Sequence, residues 1–390
     1  MTIDVARAQA ETPGCAHVLH FNNAGASLQP TPVINAVCDH LEREAMGGGY
    51  EAAEEAFPTI ERAYDSVAAM LGCGRDEVAM VENATRGWDM AFYAQTFRPG
   101  DRILTGRSEY ASNVIALLQV ARRTGAQVEV VPDDEHGQIS LDALKHMLDD
   151  KVRLIALTHV PTNGGLVNPA VAVGAVARDA GVPFLLDACQ SVGQMPVRVD
   201  EIGCAMLSAT GRKFLRAPRG TGFLYVRREW IEKLDPPFLD LRAATWTSPN
   251  AYEIRNDARR FENWESHVAG RIGLGAAVEY ALGWGLESIS LRVTELAELL
   301  RAELGALAGV VVHDKGLIRC GIVTFIKESE DSVSLHRRLR ALKINTSVSS
   351  PEYARFDMEG RGLGDLLRAS VHYYNTEDDV LRFCSAVAGS

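Results

Sequence analysis

Between about residues 75 and 230, short apolar runs rich in β-branched residues alternate with longer stretches in which apolar positions recur at helical spacing. The pattern predicts strands at 77–81, 102–105, 127–131, 154–158, 182–187, 205–208 and 222–226, and helices at 88–96, 113–123, 141–149 and 171–180. Such alternation yields an α/β fold, a mostly parallel sheet with helices on both faces. Ligands of open sheets of this class gather outside the carboxyl ends of the strands. The segments that follow each strand therefore hold the candidate chemistry.

Beyond residue 230 the pattern changes. Asp235-Pro236-Pro237-Phe238 breaks regular structure, and the polar, aromatic stretch 246–252 reads as an irregular connection. From 270 to about 307 apolar positions recur at helical spacing, which predicts a long helix or a helix pair. Strands at 318–325 and 368–373 flank a helix at 332–342, giving a smaller α+β unit. The first twenty residues read as a loose arm. The expected division is an arm at 1–20, a large domain at 21–265, and a connecting helix with a small C-terminal domain at 266–390.

At 390 residues the chain is longer than one hydrophobic core supports, in keeping with two lobes. Apolar residues at 47% and charged residues at 23% match a soluble globular protein, and no apolar run reaches the roughly 18 residues of a membrane span. Nothing at the start resembles a secretory signal, so a cytoplasmic protein with no membrane partner is expected. A net charge of −11 repels polyphosphate backbones, which argues against a nucleic-acid partner. The seven cysteines are scattered, without a CxxC pair or a Cys/His cluster, and predict free thiols and no metal site. A small-molecule ligand is the remaining expectation.

Asp187 closes the apolar run 182–186, and Lys213 follows in Ser208-Ala209-Thr210-Gly211-Arg212-Lys213. A strand-end carboxylate followed by a lysine among small and cationic residues suits pyridoxal 5'-phosphate (PLP), whose aldehyde needs an amine and whose ring nitrogen needs a carboxylate.

Several stretches, in order over about residues 20–385, widen that reading: Asn22-Asn23-Ala24-Gly25-Ala26-Ser27, Glu82-Asn83-Ala84-Thr85, His159 to Gly165, Asp187-Ala188-Cys189-Gln190, Thr210 to Lys213, and Arg368 to Thr376. Together they resemble the class V aminotransferase and cysteine desulfurase group of fold type I PLP enzymes. The resemblance implies a large domain with a mostly parallel seven-stranded sheet plus a smaller C-terminal α+β domain. It makes Lys213 the catalytic residue that carries the cofactor aldehyde, Asp187 the partner of the pyridine nitrogen and Gln190 a contact to the phenolic oxygen. Asn83, Ala84 and Thr85 would meet the phosphate at a helix start, with Thr210 and Arg212 completing the cradle. A plain N-cap is the rival role for Asn83 and Thr85. Tyr110 stands where the family places a ring-stacking histidine, and Thr162 or Asn163 would touch cofactor or substrate. Arg368 would bind the α-carboxylate of an amino-acid substrate, with Asn23, Gly25 and Ala26 lining the substrate side. A homodimer with sites completed across the interface is implied, through the segment 260–266, although Glu265 replaces the family's threonine there.

The segment 344–353 carries serines where cysteine desulfurases carry the cysteine that accepts sulfur. Without that thiol a persulfide relay is not expected. The preferred reading is therefore β-elimination, C–S bond cleavage on an S-substituted cysteine conjugate. The glycine-rich stretch 44–53 and the 371–376 ending resemble C–S lyases of ergothioneine biosynthesis and PLP enzymes of lincosamide antibiotic biosynthesis. On that reading 47–50 forms a mobile rim to the entrance. The alternatives are decarboxylation coupled to oxidative deamination of a cysteine S-conjugate, and class V aminotransfer.

Overall fold

The computed structural model describes residues 2–389. Seven strands form where the pattern places them: β1 (Val78–Val81), β2 (Arg102–Thr105), β3 (Gln127–Val130), β4 (Val152–Thr158), β5 (Phe184–Asp187), β6 (Met206–Thr210) and β7 (Gly222–Val226). They make one sheet in the order β1-β7-β6-β5-β4-β2-β3. Only β7 runs against its neighbours; the other sheet pairings are parallel. Successive side chains point to opposite faces. Leu104, Ile155, Leu186 and Phe223 thus pack in one core, while Ile103, Leu154, Leu185 and Leu224 pack in the other. Both faces are covered, which is why the strands read as near-continuous apolar runs.

Helix α1 (Ala84–Tyr93) follows β1, and α2 (Ala111–Thr124) follows β2. The start of α1 precedes the predicted residue 88 because the Asn83 side chain caps it, accepting from the Arg86 amide. The helical stretch after residue 270 is two helices, Val268–Trp284 and Leu286–Gly305, parted at Gly285. Behind them lies a four-stranded antiparallel sheet, Val310–Val312, Ile322–Lys327, Leu366–Ser370 and Ser347–Ser349, with the helix Ser332–Ala341. Among the described residues no helix is long and apolar enough to cross a membrane.

Two expectations change. The stretch 246–252 belongs to an antiparallel hairpin, Ala244–Ser248 with Ala251–Ile254, turning at Pro249-Asn250. Its Thr and Trp residues favour strand, and solvent on both sides hid that signal from a burial pattern. The first twenty residues, expected to be loose, are packed. Asp4 caps the helix Val5–Ala10, and Leu19–His20 pairs with Ile344–Asn345. The cause is Arg216, a buried guanidinium that needs acceptors. It donates to Thr12 Oγ1 of the arm, to Leu28 O at 2.8 Å and to Tyr373 Oη at 2.6 Å, over the Tyr374 ring.

Arg216→Met keeps most of the volume but leaves these three oxygens without a donor, a loss of about 3 kcal/mol. A lowered melting temperature and faster tryptic cleavage after Arg7 are the expected results. Unchanged protease resistance would show that the arm is held by other contacts.

Candidate active site

The carboxyl ends of β2, β4, β5 and β6 bring Thr105, Thr158, Asp187 and Thr210 to one edge of the sheet. Of the residues singled out from the sequence, Ala84, Thr85, Tyr110, Thr162, Asp187, Gln190 and Lys213 line one cavity at that edge. Asn113, Thr158, Val160 and Cys189, which the sequence reading passed over, complete the lining.

Lys213 is 9% exposed and lies in the segment that follows β6. Burial lowers its pKa from the ordinary lysine value, and the cations Arg212 and Arg368 act in the same direction against Cys189 and Asp187. The backbone beside it is fixed from two directions. His372 lies 2.9 Å from Phe214 O through Nε2, while its Nδ1 accepts from the Tyr373 amide at 2.9 Å, so the ring is neutral and donates to the carbonyl. Gly193, at φ +92°, lets the chain after Gln190 lie against the same segment; a Cβ there would sit 2.4 Å from the Phe214 carbonyl carbon.

Asp187 is buried, and each of its oxygens has one donor. Oδ1 accepts from the Cys189 amide and Oδ2 from Asn113 Nδ2, both at 2.9 Å. Gln190 donates to Ala24 O at 3.1 Å and leaves its own Oε1 buried without a partner. Tyr110 is the N-cap residue of α2, and its amide donates to Glu109.

Arg368 is 8% exposed, on the strand Leu366–Ser370. It donates to Thr162 O at 2.9 Å and Thr162 Oγ1 at 2.7 Å, while its Nε is buried and unpartnered. Burial first, and then Arg212, lowers its pKa to about 10; Tyr110 and Tyr353 also face it, with no carboxylate among these neighbours. A buried guanidinium in that state calls for an anion.

The other predicted residues sit around this cavity. Asn163 turns away to donate to Asp357 at 2.6 Å, so Thr162 is the one of that pair on the cavity wall. Thr210 donates to Thr221 O at 3.3 Å. Arg212 donates to Gly25 O, on the side of the N-terminal segment, with no contact to Thr85. Asn23 bonds Ser370 O and Tyr374 Oη, and Ala26 O meets His20 Nε2 at 2.9 Å. The 47–50 stretch, expected to rim the entrance, instead joins the helices Thr31–Gly47 and Gly49–Glu55. Gly49 and Tyr50 line a separate groove with Trp264 and Glu265 that shares no lining residue with the Lys213 cavity.

The model of the family described as aminotransferase class-V matches residues 19–383. The chain belongs to that family. Class V enzymes depend on PLP, and the cofactor of this enzyme is PLP. A probable cysteine desulfurase of Methanothermobacter thermautotrophicus is 27% identical over 368 residues, covering 93% of this chain and 92% of that protein. The apo structure of a cysteine desulfurase from Thermococcus onnurineus superposes with a TM-score of 0.92 at 24% identity, over 100% of this chain and 98% of the other. A variant of the C-DES protein with glycine covalently linked to its PLP cofactor gives a TM-score of 0.88 at 22% identity, over 97% and 98%. These neighbours share the fold of a fold type I PLP enzyme, and the seven-stranded sheet with its smaller C-terminal unit matches it.

The comparisons correct the expected reaction. A C–S lyase without a persulfide relay conflicts with full-length relatives named cysteine desulfurases. The missing cysteine of 344–353 had carried that expectation, and the relation over the whole chain outweighs one segment. The special nearness to ergothioneine and lincosamide enzymes is likewise unsupported, as are a cysteine S-conjugate substrate and a role in antibiotic biosynthesis.

The class-V enzyme keeps Lys213 neutral at a lower pH than a surface lysine, because burial penalises the ammonium form. Competitive acetylation of the cofactor-free protein across pH should give Lys213 a midpoint below that of exposed lysines. A midpoint equal to theirs would refute the effect of burial.

Proposed function

We propose that this class-V enzyme takes sulfur from cysteine or a close analogue, with Lys213 joined to PLP and Asp187 at the cofactor's ring nitrogen. The observation that carries the reading is a buried amine and a buried carboxylate on one cavity, with the anion-seeking Arg368 bonded to Thr162 of its wall. The names of the full-length relatives supply the sulfur chemistry. Bound there, PLP supplies the electron sink that makes bonds at Cα and Cβ of an amino acid labile.

The residues fit the group. The amides at the start of α1, with the Thr85 hydroxyl, suit a phosphate at a helix N-terminus, while Asn83 caps the same helix. Thr210, at the end of β6, extends that side, while Arg212 lies toward Gly25. Gln190 Nε2 gives one N–H to Ala24 O and has a second that suits the phenolic oxygen, and Tyr110 offers its ring as a cover. Arg368, braced by Thr162, holds the α-carboxylate and thereby fixes which substrate bond faces Lys213. Lys213, neutral, takes and returns protons at the substrate carbons. Asn23, Gly25, Ala26 and Asn163 support the substrate wall.

Sulfur transfer needs an acceptor. The Cβ–S bond of cysteine breaks, a thiol RSH gains that sulfur as RSSH, and the amino acid leaves as alanine. Cys189 is the cysteine that lines the cavity, and Lys213 beside it opposes the upward pull of burial on its thiol. It is the acceptor within this chain, and a second thiol then releases sulfide. The groove of Trp264 and Tyr50, with exposed Met46 and Phe57 on the neighbouring helices, suits a second copy, so a homodimer completed through 260–266 belongs to the same reading. The seven free cysteines suit the reducing cytoplasm.

Incubation of the enzyme with L-cysteine and dithiothreitol should release alanine and sulfide in equal amounts, and Lys213→Ala should abolish both along with the visible absorbance of bound PLP. Pyruvate and ammonia in place of alanine would overturn the sulfur-transfer reading. Arg368→Lys should raise KM by about tenfold or more while kcat changes less, because a single ammonium replaces a bidentate fork. An unchanged KM would remove Arg368 from the substrate site.

A further inference from the structure

Behind Asp187 lies a second carboxylate that none of the roles above employs. Glu109 is 2% exposed, and five donors converge on it. Oε1 accepts from the Tyr110 amide and from Asn113 Nδ2, each at 2.9 Å, and from the Thr158 hydroxyl. Oε2 accepts from the Thr105 hydroxyl and the Thr158 amide, each at 3.0 Å. Glu109 therefore ties the ends of β2 and β4 to the first turn of α2. Burial raises its pKa, and the charge of Asp187 adds to the rise, against the bonds from Thr158 and Asn113.

The link to the site is Asn113. Its single NH₂ group points one hydrogen at Glu109 Oε1 and the other at Asp187 Oδ2, both at 2.9 Å. An amide turned over would aim its oxygen at two carboxylate oxygens, so the pair of acceptors admits one orientation. Asp187 offers that amide a single acceptor, Oδ2, because its Oδ1 is taken by the Cys189 amide. The second anchor is Glu109, held by four donors besides Asn113.

We propose that Glu109 and Asn113 are positioning residues for Asp187: the Glu109 carboxylate fixes the Asn113 amide, and the amide fixes the Asp187 carboxylate against the ring nitrogen of PLP. The proposal rests on the reading that Asp187 faces that nitrogen. Its physical content is selectivity. Support for Asp187 matters only to a ligand that has a nitrogen for the carboxylate to meet.

The test compares PLP with 1-deaza-PLP, in which carbon replaces the ring nitrogen, as ligands of the cofactor-free full-length protein by direct titration. Glu109→Gln is close in shape but presents an amide donor to the surrounding donors, so Asn113 loses its fixed orientation. Asn113→Ala deletes the link. Each is expected to weaken PLP binding by about tenfold, the scale of one lost hydrogen bond to a charged group, and to leave 1-deaza-PLP within about twofold of the wild type. The double variant should be no worse than either single one, as for two members of one chain of contacts. Equal losses for the two ligands in both variants would reduce Glu109 and Asn113 to structural props and overturn the proposal. Asp187→Asn and the wild type separate the two levels: a wild type that does not distinguish PLP from 1-deaza-PLP sinks the placement of Asp187 itself. If one variant fails to fold, judged by its circular dichroism, the other still decides.

Discussion

Burial of charge is the constraint around which this enzyme is arranged. Lys213, Asp187, Glu109 and Arg368 are all under 10% exposed, and a charge taken out of water is costly unless it is paired or hydrogen-bonded. Each group meets that cost differently. Lys213 moves toward its neutral form, Asp187 accepts one N–H at each oxygen, and Glu109 gathers donors from two strand ends and a helix start. Arg368 is the exception, with Thr162 on one side and an unpartnered Nε on the other. The site is unbalanced toward positive charge at Arg368 and balanced around Asp187.

That balance comes from topology. Parallel β2, β4, β5 and β6 deliver their carboxyl ends to one edge, so Thr105, Thr158, Asp187 and Thr210 become neighbours though they span over a hundred residues of sequence. The other wall comes from farther away. Asn23 reaches Ser370, Ala24 receives Gln190, and Gly25 receives Arg212. The packed arm holds this wall through Arg216, whose acceptors lie in the arm, after the N-terminal segment and in the C-terminal motif. Rigidity at the cavity therefore depends on a guanidinium outside it.

The large sheet was legible because both of its faces are buried, so each strand appeared as a short apolar run bounded by polar or glycine residues. Lys213 and Asp187 were legible for a different reason: each breaks an apolar neighbourhood with a charge at a strand end. The hairpin at 244–254 and the arm escaped notice because one is exposed on both sides and the other is held by side chains distant in sequence. Glu109 and Asn113 were hidden in plain view. At i and i+4 around a helix start they look like an ordinary polar first turn, and only the pairing of β4 beside β2 shows that both point inward. Thr162 and Asn163 could not be separated by sequence, since adjacent residues with similar polarity differ only in which way the backbone turns them.

The segment 344–353 shows why a missing residue is weaker evidence than a present fold. Ser347–Ser349 is an edge strand hydrogen-bonded to Leu366–Arg368, with Ser347 registered against Arg368, and Ile344–Asn345 is paired to the arm. Residues 344–349 of the stretch are thereby anchored. A thiol carried there would be fixed beside Arg368 and would lack the reach of a residue on a free loop. A chain that ties this segment into its sheet has less use for a cysteine in it than one that leaves the segment loose. On the proposed sulfur-transfer reading, the thiol already at the cavity wall is that of Cys189.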